Sequence, residues 1–291
     1  MTAASAPRGE VPAPTGFHAQ LARSWTASGS MLCVGLDPDL ERIPAHLRSE
    51  PDAIERFCRE IVDATAPHAC AFKPQIAYFA SCGAEAALER ICAHVREEHP
   101  DVTLVLDSKR GDIGTTALHY AREAFDRYGA HAVTVNPYMG TDSVEPFLTH
   151  GAGGAFVLCR TSNPGGDDLQ ALITSEPGAQ GSQPGIPLHL RVARRVATEW
   201  SQLGECGLVV GATRPDELAE VRSLIGDLPL LVPGVGAQGG DAATVVERGA
   251  SADGRGLVVN SSRAILYASG GEDFAEAAAA EAARTAAALA G

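Results

Sequence analysis

Residues 103–116 read TLVLDSKRGDIGTT. Thr103 to Leu106 form an apolar run without alternation, the pattern of a strand covered on both faces, as in a parallel sheet. The run then turns abruptly to charge, with Asp107, Lys109, Arg110 and Asp112 close together. The segment that follows, ALHYAREAFDRYG, carries helical spacing. A buried strand that ends in charged residues and passes into a helix is one βα unit of a barrel whose chemistry sits at the C-terminal ends of its strands.

The same unit recurs along the chain. The other runs are MLCVGLDP from Met31, ACAFKPQIA from Ala69, HAVTVNPYMG from His131 and GAFVLCRTSNPGG from Gly154. CGLVVGATRP from Cys206, PLLVPGVGAQGG from Pro229 and GLVVNSSRA from Gly256 complete the set. Helix-like segments separate them. In PDAIERFCREIVDATAP, Ile54, Phe57, Ile61 and Val62 share one stripe, between Pro51 and Pro67. AEAALERICAHVREEHP behaves likewise, and EDFAEAAAAEAARTAAALAG is a strong helix former suited to a last packing helix.

Eight such units in roughly 250 residues predict a single-domain (β/α)8 TIM barrel over residues 15–291, with an open doubly wound sheet as the alternative. Residues 1–14 lack the apolar core of a signal peptide and read as a disordered tail. Residues 163–187, after the fifth strand, are rich in Gly, Pro and Ser and too long for a simple connection. A loop of that length on the active face is expected to be a lid.

Charge and composition exclude some functions. The net charge of −13 argues against nucleic acid or an anionic membrane as partner, but not against a small phosphorylated ligand. No apolar run approaches the ~18 residues of a membrane span. Seven cysteines without a CxxC pair read as buried thiols of a reducing, cytoplasmic compartment.

The strand ends carry Asp37, Lys73, Asp107, Lys109, Asp112, Asn136, Ser162, Asn163, Gln238, Asn260, Ser261 and Arg263. Of the 23 basic residues, 21 are arginine, and both lysines, Lys73 and Lys109, fall in this set. These positions therefore call for an ammonium. A guanidinium cannot give up a proton at useful pH, and its planar fork does not replace a point charge. Asp107 and Lys109, two apart on a strand, should face the same side, the barrel mouth. Asp112 follows just beyond. Two carboxylates around one lysine favour the ammonium over the free amine, which disfavours a Schiff-base nucleophile.

None of the nine histidines lies at a strand end, so neither histidine catalysis nor a zinc site is expected. GVGAQG, residues 234–239, spells GxGxxG and invites a dinucleotide reading, with Asp253 at a tempting distance. Yet it follows the seventh strand rather than the first, where barrels commonly bind phosphate. Glycines there let backbone N–H groups approach an anion, while Gln238 and Arg263 add donors.

With GLDP, FKPQ, DSKRGDIG, TSNPGG, PGVGAQGG and NSSR in view, the chain resembles the orotidine 5′-phosphate decarboxylase family, from Gly35 to Arg263. Its most specific element is Asp-x-Lys-x-x-Asp. The resemblance implies decarboxylation of orotidine 5′-monophosphate (OMP) to UMP, with no metal and no cofactor. It implies that Asp37 and Lys73 hold the ribose hydroxyls and that Lys73 bridges to Asp107. Asp107 would sit beside the reacting carboxylate, and Lys109 would protonate ring carbon 6. Asp112, Ile113 and Thr116 would reach into the partner's site in a homodimer. Ser162 would contact the pyrimidine, with Gln238 and Arg263 on the phosphate. Two alternatives share the framework. One is a metal-dependent 3-keto-gulonate-6-phosphate decarboxylase, which places an acid where Lys73 stands. The other is a catalytically silent nucleotide-binding barrel.

Overall fold

Each of the eight apolar runs forms a strand: β1 Leu32–Leu36, β2 Ala71–Pro74, β3 Thr103–Arg110, β4 Ala132–Val135, β5 Gly154–Arg160, β6 Cys206–Val210, β7 Leu230–Pro233 and β8 Leu257–Ser261. The computed structural model describes residues 16–175, 185–235 and 241–290. The expected tail at 1–14 lies outside them, as do residues 176–184 of the long fifth loop. Every neighbouring pair in the ring is parallel, and β1 closes on β8. The architecture is the (β/α)8 barrel, and the open-sheet alternative is set aside.

The strands read as unbroken apolar runs because both faces are covered. Cys33, Ala71, Val105, Ala132, Phe156, Val209, Leu231 and Val258, one from each strand, form an inner cluster. The alternate residues, such as Leu32, Phe72, Leu104 and Val133, belong to the larger core shared with the helices. Helix Ala53–Thr65 buries the stripe read from sequence, Ile54, Phe57, Ile61 and Val62. The last helix, Phe274–Ala290, packs on it, with the Phe57 and Phe274 rings 5.4 Å apart.

A helix at Phe17–Ser28 joins the inner cluster through Phe17 and Leu21. The Phe17 ring meets Phe156 edge-on at 5.2 Å. Gly154 must be glycine here, because an added Cβ would lie 2.3 Å from the Phe17 ring. Trp25 Nε1–H donates to the Leu257 carbonyl at 2.8 Å, and His18 Nε2 lies 2.8 Å from that of Cys206. Both carbonyls belong to strand starts, so this helix seals the end of the barrel opposite the strand C-termini.

The described part of the fifth loop is structured. It forms a short turn at Pro164–Gly166, a helical turn at Asp167–Gln170, and a two-stranded antiparallel ribbon of Ile173–Thr174 with Ile186–Pro187. Arg160, at the end of β5 and 1% exposed, anchors its base. Its guanidinium pairs with Asp167 and Glu217 and donates to Gln170 Oε1 at 3.2 Å.

His131, at the start of β4, gives the fold a pH dependence. Its Nδ1 accepts the Leu104 N–H at 2.8 Å, while the Arg96 guanidinium lies against Nε2. Burial, with the Arg96 charge added, pushes its pKa down from 6.5 to about 3. The unfolded chain therefore takes up a proton that the native chain refuses, so this contribution is complete above 6.5 and is lost as pH falls toward 3. His131→Asn keeps an acceptor for Leu104 and removes the titration. Its melting temperature is expected to fall less than wild type's between neutral pH and about pH 4. Parallel curves would contradict this.

Candidate active site

Three side chains meet at the C-terminal mouth. Lys73 from β2 places Nζ 2.8 Å from Asp107 Oδ2, and Lys109 from β3 places Nζ 2.6 Å from Asp107 Oδ1. Lys73 and Asp107 are 4% and 6% exposed, whereas the Lys109 side chain is 46% exposed. Of the two ammoniums, Lys109 is therefore the one open to a ligand. Burial alone would raise the Asp107 pKa, but the charges of Lys73 and Lys109 and their hydrogen bonds outweigh it and hold the carboxyl well below its usual range. Burial would likewise depress Lys73, yet Asp107 and Asp37 hold it above its ordinary value. Asp37, past the end of β1, keeps Oδ1 buried without a partner among the described residues. A buried acceptor without a donor is costly unless a ligand supplies one.

The backbone under Lys109 departs from regular strand geometry. Leu106 pairs with Val133 and Arg110 with Val135, so residues 107–109 all stand opposite Thr134. Lys109 has φ +48°, the one positive φ on a non-glycine among the described residues. A lysine held there costs roughly 1–2 kcal/mol, which surrounding contacts must offset. The expectation of simple alternation is thus corrected. Asp107 and Lys109 do share a side, but a bulge brings them together. Arg110 goes elsewhere, pairing with Glu123 at 2.9 Å and lying over the Tyr120 ring at 4.4 Å.

A second expectation also changes. Within one chain a single carboxylate sits between two ammoniums, rather than two carboxylates around Lys109. Asp112 makes no ion pair with Lys109, and its Oδ1 accepts the N–H of Ile113 at 2.8 Å. Ile113 is 51% exposed and Thr116 is also exposed. Nearby, Tyr138 and Met139 are 78% and 48% exposed. These apolar side chains leave one rim of the mouth without a cover.

Across the mouth, Ser162 is half-buried just past β5. Its backbone presses so close to Gly211 that an added Cβ there would lie 2.8 Å from the Ser162 Cβ. Arg263 is exposed at the start of the helical turn Arg263–Leu266 after β8, with no carboxylate in ion-pair range among the described residues. Gln238 lies outside the described residues, as does most of GVGAQG. Two features escaped the sequence reading. Thr134 touches Asp107 directly, with Oγ1 2.8 Å from Oδ1. Away from the mouth, His94 and His99 converge on Asp63 Oδ1 at 2.6 and 2.8 Å. Arg59 donates to His94 Nδ1 at 3.1 Å, so Nε2 carries the ring proton toward Asp63. The cluster is a staple between two outer helices.

The mouth can therefore receive an anion beside a buried Asp–Lys pair and an accessible ammonium. Residues 30–280 match the family described as orotidine 5′-phosphate decarboxylase / HUMPS. An orotidine 5′-phosphate decarboxylase of Bordetella petrii is 62% identical over 264 residues, 90% of this chain and 94% of that one. One from Aromatoleum aromaticum is 60% identical over 262 residues, 90% of this chain and 94% of its own. Among solved structures, Leishmania donovani OMP decarboxylase matches with TM-score 0.75 and 37% identity, over 93% of this chain and 98% of that one. Leishmania donovani UMP synthase matches with TM-score 0.78 and 38% identity, covering 95% of this chain and 57% of that chain. The chain belongs to the orotidine 5′-phosphate decarboxylase / HUMPS family.

Proposed function

We propose that this chain decarboxylates orotidine 5′-monophosphate to UMP, as a carboxy-lyase of pyrimidine biosynthesis. The observation that carries the reading is the Lys73–Asp107–Lys109 array, with its buried ion pair at 2.8 Å and its accessible ammonium at 2.6 Å. Loss of carbon dioxide leaves an electron pair in the plane of the pyrimidine ring, where the ring's π system cannot delocalise it. A fixed ammonium at that carbon stabilises the developing charge and then supplies the proton. Lys109 takes that role. Asp107 faces the departing carboxylate, and Lys73 with Asp37 holds the ribose hydroxyls. The orphaned Asp37 Oδ1 supports that assignment.

Ser162 meets the pyrimidine edge, and Arg263 with Gln238 grips the phosphate. The chain works without metal or cofactor as a cytoplasmic homodimer. Asp112, Ile113 and Thr116 cross into the partner's site. The exposed Ile113, Tyr138 and Met139 support that interface, and six of the seven free thiols are buried, which fits a reducing compartment, although Cys82 is exposed against the sequence expectation. No helix among the described residues is long and apolar enough to cross a membrane. The keto-gulonate alternative requires an acid at position 73, and the lysine there, already paired with Asp107, disfavours it. The test follows OMP absorbance and keto-gulonate 6-phosphate consumption with purified protein, once in EDTA and once with added magnesium. Turnover of OMP alone is expected, and the reverse preference would overturn the assignment.

Arg263→Ala is expected to weaken binding and also slow the chemistry. Losing a charge-assisted phosphate contact should cost about 2 kcal/mol, part of it at the transition state, because remote binding energy positions the ring and the fifth loop. Free phosphite should accelerate decarboxylation of a substrate lacking its phosphate in the unmutated enzyme. No acceleration would remove the loop-ordering argument.

A further inference from the structure

The Thr134 hydroxyl is fully engaged. Oγ1 accepts the backbone N–H of Ser108 at 3.0 Å and that of Lys109 at 2.9 Å, and donates its own hydrogen to Asp107 Oδ1 at 2.8 Å. A hydroxyl has one donor and two acceptor sites, and all three are used. Thr134 is 1% exposed and lies opposite the three bulged residues of β3. The same Asp107 oxygen that takes its hydrogen also takes the Lys109 ammonium at 2.6 Å. One hydroxyl thus holds Lys109 from both ends, directly at its backbone N–H and through Asp107 at its ammonium. Lys109 is also the residue carrying the strained φ of +48°.

We propose that Thr134 is a positioning residue, whose hydroxyl keeps the β3 bulge in the form that aims the Lys109 ammonium at the reacting carbon. The proposal rests on Lys109 being the proton donor. Without the hydroxyl, two successive N–H groups lose their acceptor, and Asp107 Oδ1 loses one of its two donors. The bulge can then relax toward regular strand, which turns the Lys109 side chain away. A methyl of the same shape cannot replace these bonds. The substrate's ribose and phosphate contacts lie on other strands and stay in place.

The test compares Thr134→Val, Thr134→Ser and Lys109→Ala for kcat, KM and UMP affinity. Thr134→Val is expected to lose on the order of 100-fold in kcat, as for a reactive group misplaced by about 1 Å, with KM and UMP affinity within about threefold. Thr134→Ser, which restores the hydroxyl, is expected to recover most of kcat. Wild-type kcat in Thr134→Val, or equal loss in a folded Thr134→Ser, overturns the proposal while a dead Lys109→Ala leaves the parent reading intact. An active Lys109→Ala sinks the parent reading, and this one with it. Should Thr134→Val not fold, amide exchange in the unmutated enzyme decides. Protected Ser108 and Lys109 N–H groups support the device, and freely exchanging ones overturn it.

Discussion

Lys109→Arg should be as inactive as Lys109→Ala, with kcat down by roughly 10⁴-fold or more in both, because two effects of the ammonium are removed together. Charge is conserved in the arginine variant, so a purely electrostatic role for Lys109 would leave much of the rate. The geometry argues otherwise. The Lys109 ammonium is a point charge 2.6 Å from Asp107 Oδ1, in a corner where Thr134 already occupies that same oxygen. A planar guanidinium is wider than this corner, and its proton is not released at any pH the enzyme tolerates. Binding of UMP, measured in parallel, should survive in both variants. Near-native turnover in Lys109→Arg would sink the proton-donor role.

The second large effect is a recovery. Lys109→Ala and Asp112→Ala homodimers should each be nearly inactive, yet their mixture should regain activity once subunits exchange. Asp112 makes no ion pair with Lys109 in its own chain, and the Lys109 side chain remains 46% exposed. A carboxylate arriving across a two-fold axis would complete the site. A mixed dimer then holds one site with both defects and one with neither. With random exchange half the dimers are mixed, so about a quarter of all sites should be intact. Continued inactivity, with mixed dimers confirmed by native mass spectrometry, would leave Asp112 acting within its own subunit.

The strands were legible because strands of a parallel barrel are buried on both faces and announce themselves as unbroken apolar runs. The meeting of Lys73, Asp107 and Lys109 at the mouth was legible because charge at the end of such a run, as in LVLDSKRGD, has little structural reason to be there. The backbone at Lys109 was not. Glycine or asparagine would have signalled a left-handed residue, whereas lysine gives no such sign, and strict alternation was the natural assumption. Thr134 was hidden for a similar reason. A threonine inside HAVTV reads as an ordinary β-former, and only the register of β4 against the bulge makes its hydroxyl a hub. The helix from Phe17 carries a stripe through Phe17, Leu21 and Trp25, but nothing local says that it closes a barrel. His94 and His99 meet only because Asp63 comes to them from another helix.

On the proposed mechanism the chain's own lysine, and no metal, carries the decarboxylation. It is tested most directly by single-turnover reaction of EDTA-dialysed enzyme with OMP labelled at its carboxylate carbon, reading carbon dioxide and UMP from the same sample. Equal molar amounts of both are expected, at a rate unaffected by chelation, with neither product from Lys109→Ala over the same interval. Loss of turnover on chelation with recovery on adding a divalent cation, or carbon dioxide release by Lys109→Ala at the wild-type rate, would contradict it.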